Sequence, residues 1–309
     1  MSKRAVFFGT PAWAVPSLDA LLKSAWDVRA VVTNPDRPAG RGYELQAPPV
    51  KERARAAGLE VCQPEKARAP DFRDWLAAAE PDVAVVVAYG KILPPELLAV
   101  PRLGFVNVHF SLLPAYRGAA PVQRAIMEGR TITGVSIMVL TEGMDEGPVL
   151  ARRSVTIDPN ESAGVLGERL AALGAEVLVD ALDRFDAGAL APEEQDHERA
   201  TYAAKISNEE AEVDWTQPAR SIHDKVRALD PSPGAWTTFR DKRVKLFRTA
   251  PAPPTGLAPG AAALHSGRLV VGTGDVALAL EEAQIAGKKR MTGSDLANGL
   301  RPEEGERFG

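Results

Sequence analysis

Val83-Ala84-Val85-Val86-Val87-Ala88 is an uninterrupted apolar run rich in β-branched residues. Such a run, without polar alternation, is typical of a central parallel strand that is buried on both faces. Around it, apolar segments of strand length alternate with segments of helical periodicity, from Ala5–Phe8 to a long predicted helix over Ala163–Phe185. This βαβ rhythm predicts an α/β fold with a doubly wound, mostly parallel sheet over residues 1–188. Ligands of such folds bind beyond the carboxyl ends of the strands.

The sequence changes character after this α/β region. Residues 189–205 are mostly polar and charged, and we expect them to form a linker. Residues 206–309 contain short apolar segments separated by Pro and Gly, which predict a small β-barrel domain. Its predicted strands are Trp236–Phe239, Val244–Phe247, Leu269–Gly272, Val276–Leu280 and Glu282–Ile285.

Composition and motif content exclude several classes of protein. The chain has 309 residues, 45% of them hydrophobic, and a net charge of −4, which excludes a uniformly basic nucleic-acid-binding protein but permits local basic patches. A single cysteine, Cys62, excludes an internal disulfide and a cysteine-based metal site. The chain lacks the Gly-rich motif of dinucleotide-binding enzymes, the P-loop motif of NTPases and the Gly-x-Ser-x-Gly motif of α/β-hydrolases. These absences argue against all three enzyme classes. No apolar run is long enough to span a membrane, so we expect a cytoplasmic protein without membrane association.

Two segments carry candidate catalytic groups. Asn107 and His109 alternate along a predicted strand, so their side chains face the same side. Asp145 lies in a loop directly after another predicted strand, where a carboxylate beside the imidazole would orient the ring and stabilise its positive charge. A solvent-facing polar strand and a turn residue are the alternative interpretations. We expect the other three histidines to be solvated; they are His197, His223 and His265.

These residues, together with the run Ser111-Leu112-Leu113-Pro114, resemble the signature of the 10-formyltetrahydrofolate-dependent formyltransferases. Further segments narrow the resemblance to the methionyl-tRNA formyltransferase family. They are Phe8–Pro11, Asn34–Gly42, Val87–Pro94, Tyr116–Pro121 and Ile206–Trp215. The resemblance covers nearly the whole chain and is weakest over residues 250–270.

The resemblance implies a Rossmann-like formyltransferase domain over residues 1–188 and a C-terminal domain resembling an OB-fold over 206–309. It implies an enzyme that transfers a formyl group from 10-formyltetrahydrofolate to the amino group of methionine on initiator methionyl-tRNA, for translation initiation. For a chain of two domains we expect a monomer. Its catalytic residues would be Asn107, His109 and Asp145, and no metal would be needed. The residues implied to line the folate site are Tyr89, Gly90, Ile92, Leu93, Ser111, Leu112, Leu113 and Pro114.

Contacts with tRNA are implied for one loop and two basic clusters. The Pro35–Gly42 loop, with Arg37 and Arg41, would approach the acceptor end. The two clusters are short runs of Lys and Arg in the C-terminal region, and phosphate binding requires such cations. A solvated charged face is the alternative interpretation. The predicted contacts in these clusters are Lys242, Arg243, Lys245, Lys288, Lys289 and Arg290.

Attack of an amine on the formyl carbon places negative charge on the formyl oxygen. Asn107 and His109 would donate hydrogen bonds to that oxygen, and Asp145 would orient His109 and accept the amine proton through a water. Three alternatives remain: transfer to a sugar nucleotide or other small amine, hydrolysis of the folate, and an RNA-binding module with an inactive catalytic domain. The Pro35–Gly42 loop disfavours a sugar nucleotide or other small amine as the acceptor. The C-terminal domain disfavours hydrolysis of the folate, and the intact catalytic trio disfavours an inactive RNA-binding module.

Overall fold

The structure is a computed structural model that describes residues 3–39, 44–253 and 255–309. The chain forms two compact units. The first unit comprises Met1–Pro121, Ile132–Thr156 and Gly167–Ala203, and the second comprises Val122–Thr131, Ile157–Leu166 and Ala204–Gly309. The boundaries expected from the sequence, at residues 188 and 206, stay predictions.

Within the described residues, the first unit contains eleven strands: β1 (Lys3–Gly9), β2 (Trp26–Val32), β3 (Arg37–Ala39), β4 (Glu44–Gln46), β5 (Glu60–Cys62), β6 (Val83–Val87), β7 (Phe105–His109), β8 (Arg117–Gly118), β9 (Ile132–Val139), β10 (Val149–Thr156) and β11 (Tyr202–Ala203). The helices up to residue 186 are α1 (Val15–Leu22), α2 (Pro49–Ala56), α3 (Pro70–Ala78), α4 (Pro95–Leu98), α5 (Pro121–Met127) and α6 (Ala163–Asp186).

The main sheet of the first unit has seven strands in the order β10-β9-β7-β6-β1-β2-β5. The strands from β7 to β5 pair in parallel, and all five residues of β6 are buried. The prediction of a doubly wound, mostly parallel sheet is therefore confirmed. The strand order reverses between β1 and β6, and this reversal opens a crevice outside the carboxyl ends of the strands.

Two strands at one edge break the parallel pattern. Strand β9 is antiparallel to β7, and β10, for which we made no prediction, is antiparallel to β9. Val139, at the end of β9, therefore pairs with Val106 at the start of β7, whereas Ser136 pairs with His109. The loop after β9 therefore begins beside the amino-terminal end of β7, whereas His109 lies at its carboxyl end. The loop must fold back to approach His109.

The second unit contains the antiparallel sheet. Its strands are β12 (Ala235–Phe239), β13 (Lys242–Pro251), β14 (Ala262–His265), β15 (Arg268–Gly272), β16 (Ala277–Ile285) and β17 (Met291–Thr292), and its later helices are α7 (Ala219–Ala228) and α8 (Gly293–Leu300). The sheet order is β12-β13-β16-β15-β14, with β17 paired to β16. Antiparallel strands around a shared apolar core confirm the predicted class of the C-terminal domain.

Two expectations for the second unit are wrong. The segments Val276–Leu280 and Glu282–Ile285 are not separate strands, because β16 runs through both and pairs with β13 along its length, with register shifts near Arg248. His223 is not solvated: it is 8% exposed, and its Nδ1 lies 3.0 Å from Thr249 Oγ1. The high polarity around His223 concealed a histidine that packs inward.

In the described residues, no helix has the length and apolar character needed to cross a membrane.

Candidate active site

Strand β7 places Asn107 and His109 on one face of the sheet, because residues two apart along a strand point the same way. Both are buried, at 9% and 5% exposure. Among the described residues, none forms a hydrogen bond with the Asn107 carboxamide. Its two N–H groups are therefore available to a ligand.

The orientation of the His109 ring is set by a backbone carbonyl. His109 Nε2 lies 2.8 Å from the carbonyl oxygen of Tyr116. Because a carbonyl only accepts, Nε2 must carry the proton and donate it in this hydrogen bond. The other nitrogen, Nδ1, lies 3.7 Å from Asp145 Oδ2, which is beyond hydrogen-bond distance. Nδ1 is thus the nitrogen that can meet a substrate atom, with the carboxylate close enough to stabilise a positive ring.

Asp145 is held by contacts that the sequence did not reveal. Its Oδ2 accepts a hydrogen bond from the backbone N–H of Gly118 at 2.8 Å. Its backbone has φ 52°, a left-handed conformation that is uncommon for a residue with a side chain. The structure therefore brings together Asn107, His109 and Asp145, although the loop of Asp145 starts beside the amino-terminal end of β7.

The turn after β7 contains four of the residues expected at the folate site. Ser111 is fully buried and its Oγ donates to the carbonyl of Ala115 at 2.6 Å. Leu113 packs in a small core cluster, and its N–H donates to Ser136 Oγ at 3.0 Å. These two side chains therefore shape the turn from inside. The half-buried Leu112 and Pro114 are the members of the run left to face a ligand.

The other four expected folate residues follow β6, the strand beside β7, and so lie at the same sheet edge. Tyr89 is buried against Phe8 in an edge-on contact, and burial raises the pKa of its hydroxyl. Leu93 is also buried, whereas Gly90 and Ile92 are exposed. Tyr89 and Leu93 therefore form the inner wall of this loop, and Gly90 and Ile92 its outer surface.

The loop expected to approach the tRNA acceptor end is fixed at its start by hydrogen bonds to Asp36. Arg37 is exposed at the start of β3, while Arg41 lies outside the described residues. The Asp36 carboxylate accepts hydrogen bonds from the buried Lys51 Nζ at 2.6 Å and from Gln63 Nε2 at 2.8 Å. These two hydrogen bonds lower the pKa of Asp36.

Both basic clusters of the second unit lie at one end of the β13–β16 pair. Val244 pairs with Ile285, and the N–H of Ala286 donates to the carbonyl of Arg243, so the first residues of β13 lie next to those that follow β16. The exposed lysines are the free cations of this region: within the described chain, no hydrogen bond or ion pair holds their ammonium groups. They are Lys242, Lys288 and Lys289.

The remaining cations of these clusters are engaged within the unit. Arg243 stacks over the ring of Trp236 at 3.7 Å from its centroid, and Lys245 Nζ donates to the carbonyl of Pro233. Arg290 pairs with Asp230 and Glu282 and lies over an aromatic ring of β13. Their charges are therefore partly compensated or held in place before any ligand binds.

Sequence reasoning missed Arg117 and Gln195, two buried polar residues behind the loop of Asp145. Gln195 lies in the expected linker, where a polar residue in a polar segment gives no signal of burial. Across residues 3–39, 44–253 and 255–309, no group of three His, Cys, Asp or Glu side chains is arranged to hold a metal ion.

Comparison with known proteins identifies the family. Residues 2–182 match the Formyl transferase family, and residues 205–301 match the Formyl transferase, C-terminal domain family. A methionyl-tRNA formyltransferase of Streptomyces coelicolor is 50% identical over 306 residues, covering 98% of this chain and 99% of the relative. One of Solibacter usitatus is 45% identical over 306 residues, covering 99% of this chain and 98% of the relative.

Among solved structures, HypX from Aquifex aeolicus in complex with tetrahydrofolic acid aligns with a TM-score of 0.66 at 20% identity, covering 96% of this chain and 47% of that chain. A likeness at this identity supports the fold, whereas the two relatives match the sequence from end to end. The chain therefore belongs to the methionyl-tRNA formyltransferase family.

Proposed function

We propose that this protein transfers the formyl group of 10-formyltetrahydrofolate to the amino group of methionine on initiator methionyl-tRNA, with Asn107, His109 and Asp145 at the reacting centre. Formyl transfer to methionyl-tRNA follows from the family to which the chain belongs. The observation that carries the assignment of residues is their convergence, with His109 Nδ1 3.7 Å from Asp145 Oδ2 beside an unengaged Asn107 carboxamide.

The amine of methionine attacks the formyl carbon, and the carbonyl oxygen becomes negatively charged as the new C–N bond forms. With the His109 ring protonated at both nitrogens, Asn107 Nδ2–H and His109 Nδ1–H are the donors for this oxygen, because His109 Nε2–H is already bonded to the carbonyl of Tyr116. The bond from the formyl carbon to folate N10 then breaks, and N10 takes a proton. Removing one such donor typically lowers the rate by about 10²–10³.

Asp145 serves the same step through charge and proton transfer. Its carboxylate is near enough to Nδ1 to stabilise a protonated ring, but its hydrogen bond goes to Gly118 N–H. The attacking amine must lose a proton, and Asp145 accepts it through a water. Positioned proton transfer of this kind contributes roughly 10²–10⁴ in rate.

The folate binds at the edge shared by β6 and β7, between the loops 89–93 and 111–114. HypX, a protein of similar fold, forms a complex with tetrahydrofolic acid, which supports a folate as a ligand of this chain. The tRNA contacts assigned to this chain are Arg37 and Arg41 in the first unit and the basic clusters at 242–245 and 288–290 in the second. The enzyme acts as a monomer in the cytoplasm and needs no metal. Analytical ultracentrifugation tests the monomeric state, and an assay with a chelator tests whether a metal is needed.

The first experiment measures formyl transfer from 10-formyltetrahydrofolate to charged initiator methionyl-tRNA, with charged elongator methionyl-tRNA in parallel. Rapid transfer to the initiator alone is expected. Folded protein that binds the folate but formylates neither tRNA would overturn the assignment. The same assay with an amino-sugar nucleotide, and with water as the only acceptor, then identifies the true acceptor.

A further inference from the structure

The Gln195 side chain is 4% exposed and uses its whole hydrogen-bonding capacity. Its Nε2 donates to the carbonyl oxygens of Asp145 at 2.9 Å and Gly147 at 2.7 Å. Its Oε1 accepts from Arg117 Nε at 3.1 Å and from Arg117 Nη2 at 2.8 Å. With two donors and two acceptor positions satisfied, the carboxamide has one favourable orientation. Its donors therefore face the backbone of the loop that carries Asp145.

Arg117 fixes that orientation from the other side. It is 1% exposed, and two N–H groups of its guanidinium donate to Gln195 Oε1. Two donors fix the direction of this oxygen more closely than a single donor does. Nη1 and Nη2 also lie 3.3 and 3.4 Å from His197 Nδ1, and Nη1 lies 3.8 Å from Glu146 Oε1. The guanidinium is thus locked between the segment around Gln195 and the loop of Asp145.

The residues on either side of Arg117 contact the catalytic groups themselves. The carbonyl of Tyr116 accepts from His109 Nε2, and the N–H of Gly118 donates to Asp145 Oδ2. This three-residue segment is pinned in turn to the chain after Gln195, because the N–H of Arg117 donates to the carbonyl of Thr201 at 2.8 Å. One polar segment therefore supports both the imidazole and the carboxylate.

We propose that Gln195, oriented by Arg117, is a positioning residue that holds the Asp145 carboxylate against His109. This inference rests on the proposed function, because it assumes that Asp145 acts in formyl transfer. Asp145 sits at φ 52°, and such a conformation persists at functional sites when the surroundings determine it. The two carbonyls that Gln195 holds belong to Asp145 itself and to Gly147, so they fix the direction in which the carboxylate points.

The variant Gln195→Glu tests this role. It keeps the shape and keeps an acceptor for Arg117, but it replaces the two N–H donors by a carboxylate oxygen that repels the carbonyls of Asp145 and Gly147. We expect kcat to fall by about 10–100-fold, since a displacement of about 1 Å can cost 10²-fold. The KM values for folate and tRNA should stay within about twofold, because binding contacts are unchanged. Glu194→Gln, at an exposed neighbouring position, is the matched control and should keep wild-type kcat.

A double-mutant cycle separates positioning from a general loss of structure. If Gln195 acts through Asp145, then Gln195→Glu should have no further effect on kcat in an Asp145→Asn background. If it acts on the structure at large, the two losses should multiply. Multiplying losses would overturn the proposal.

The outcomes also distinguish this proposal from the proposed function. Full activity of Asp145→Asn would remove Asp145 from the mechanism, and the function as assigned to these residues would fail. A strongly impaired Asp145→Asn together with wild-type kcat for Gln195→Glu would overturn the positioning role alone. Thermal unfolding accompanies each assay. If Gln195→Glu does not fold, Gln195→Met, which keeps the length and lacks the donors, takes its place with the same expected loss of kcat.

Discussion

The loop of Asp145 and the basic clusters at 242–245 and 288–290 hold their charges in opposite ways. The Asp145 carboxylate is tied to a backbone N–H, and its loop is tied to a buried carboxamide. The ammonium groups of Lys288 and Lys289 instead extend into solvent from an exposed segment. The first arrangement depends on the position of single atoms. The second depends on the number of charges, so its loss should be gradual and sensitive to salt.

The largest effect should come from the proposed donors to the formyl oxygen. Asn107→Ala and His109→Ala should each lower kcat by about 10²–10³, because each removes one hydrogen bond that forms fully in the transition state. Both variants should stay folded, as circular dichroism can verify. His265→Ala, which removes an exposed histidine from the second unit, is the control. Wild-type kcat in either variant would remove that residue from the mechanism.

The next largest effect should come from the backbone of the Asp145 loop. At Gly147 a Cβ would lie 1.9 Å from the carbonyl oxygen of Val139, so Gly147→Ala must displace the loop. At Gly143 the nearest atoms belong to the side chain of Glu146, which can move aside. We expect Gly147→Ala to lower kcat by about 10²-fold, as a misplacement of about 1 Å can do. Gly143→Ala should lie close to wild type, and equal losses in both would contradict this explanation.

A smaller and graded effect is expected for tRNA binding. Lys288→Ala combined with Lys289→Ala should reduce the slope of log affinity against log salt by up to about 2, since each removed phosphate contact lowers it by about 1. Arg248→Ala is the control, because the Arg248 guanidinium is already paired with Glu281. Binding titrations at several salt concentrations measure the slope. An unchanged slope would show that these lysines do not contact phosphates.

The smallest effect concerns stability rather than activity. Burial lowers the pKa of His223 from its ordinary value of 6.5, so the unfolded chain binds a proton there more readily than the folded one. Stability should therefore fall as the pH drops below about 6.5, by at most about 1.4 kcal/mol per pH unit from this group. His223→Gln should show a shallower decline of Tm between pH 7.5 and 5.5. The nearby charges of Asp224 and Arg227 are present in both proteins, so an equal decline would exclude His223 as its cause.

Much of the first unit could be predicted from the sequence because its signals are local. Five consecutive buried residues identify β6, and alternation along β7 aligns Asn107 with His109. The strand β10 was not predicted because it carries three polar residues in a row, Arg152, Arg153 and Ser154. It is an edge strand, whose side chains need not all be buried. Its absence from the prediction also concealed the antiparallel direction of β9.

The second unit shows the same limit. The two predicted strands leave out Glu281, which lies within β16 and pairs with Arg248 and Arg268 across the sheet. The polarity around His223 suggested exposure, although its ring is satisfied by Thr249 and a backbone carbonyl. In both cases a polar residue is accommodated by a partner far along the chain, which no local pattern can reveal.

The sequence by itself determined the α/β class of the first unit and the β class of the second, and it predicted the three residues that we propose for catalysis. Hydrophobic periodicity and short motifs are properties of neighbouring residues, and they survive without the fold. Only the tertiary structure decided that Tyr116 fixes the His109 ring and that Gln195 holds the loop of Asp145. The pair Gln195 and Asp145 is separated by 50 residues, so its hydrogen bond exists only after the chain has folded.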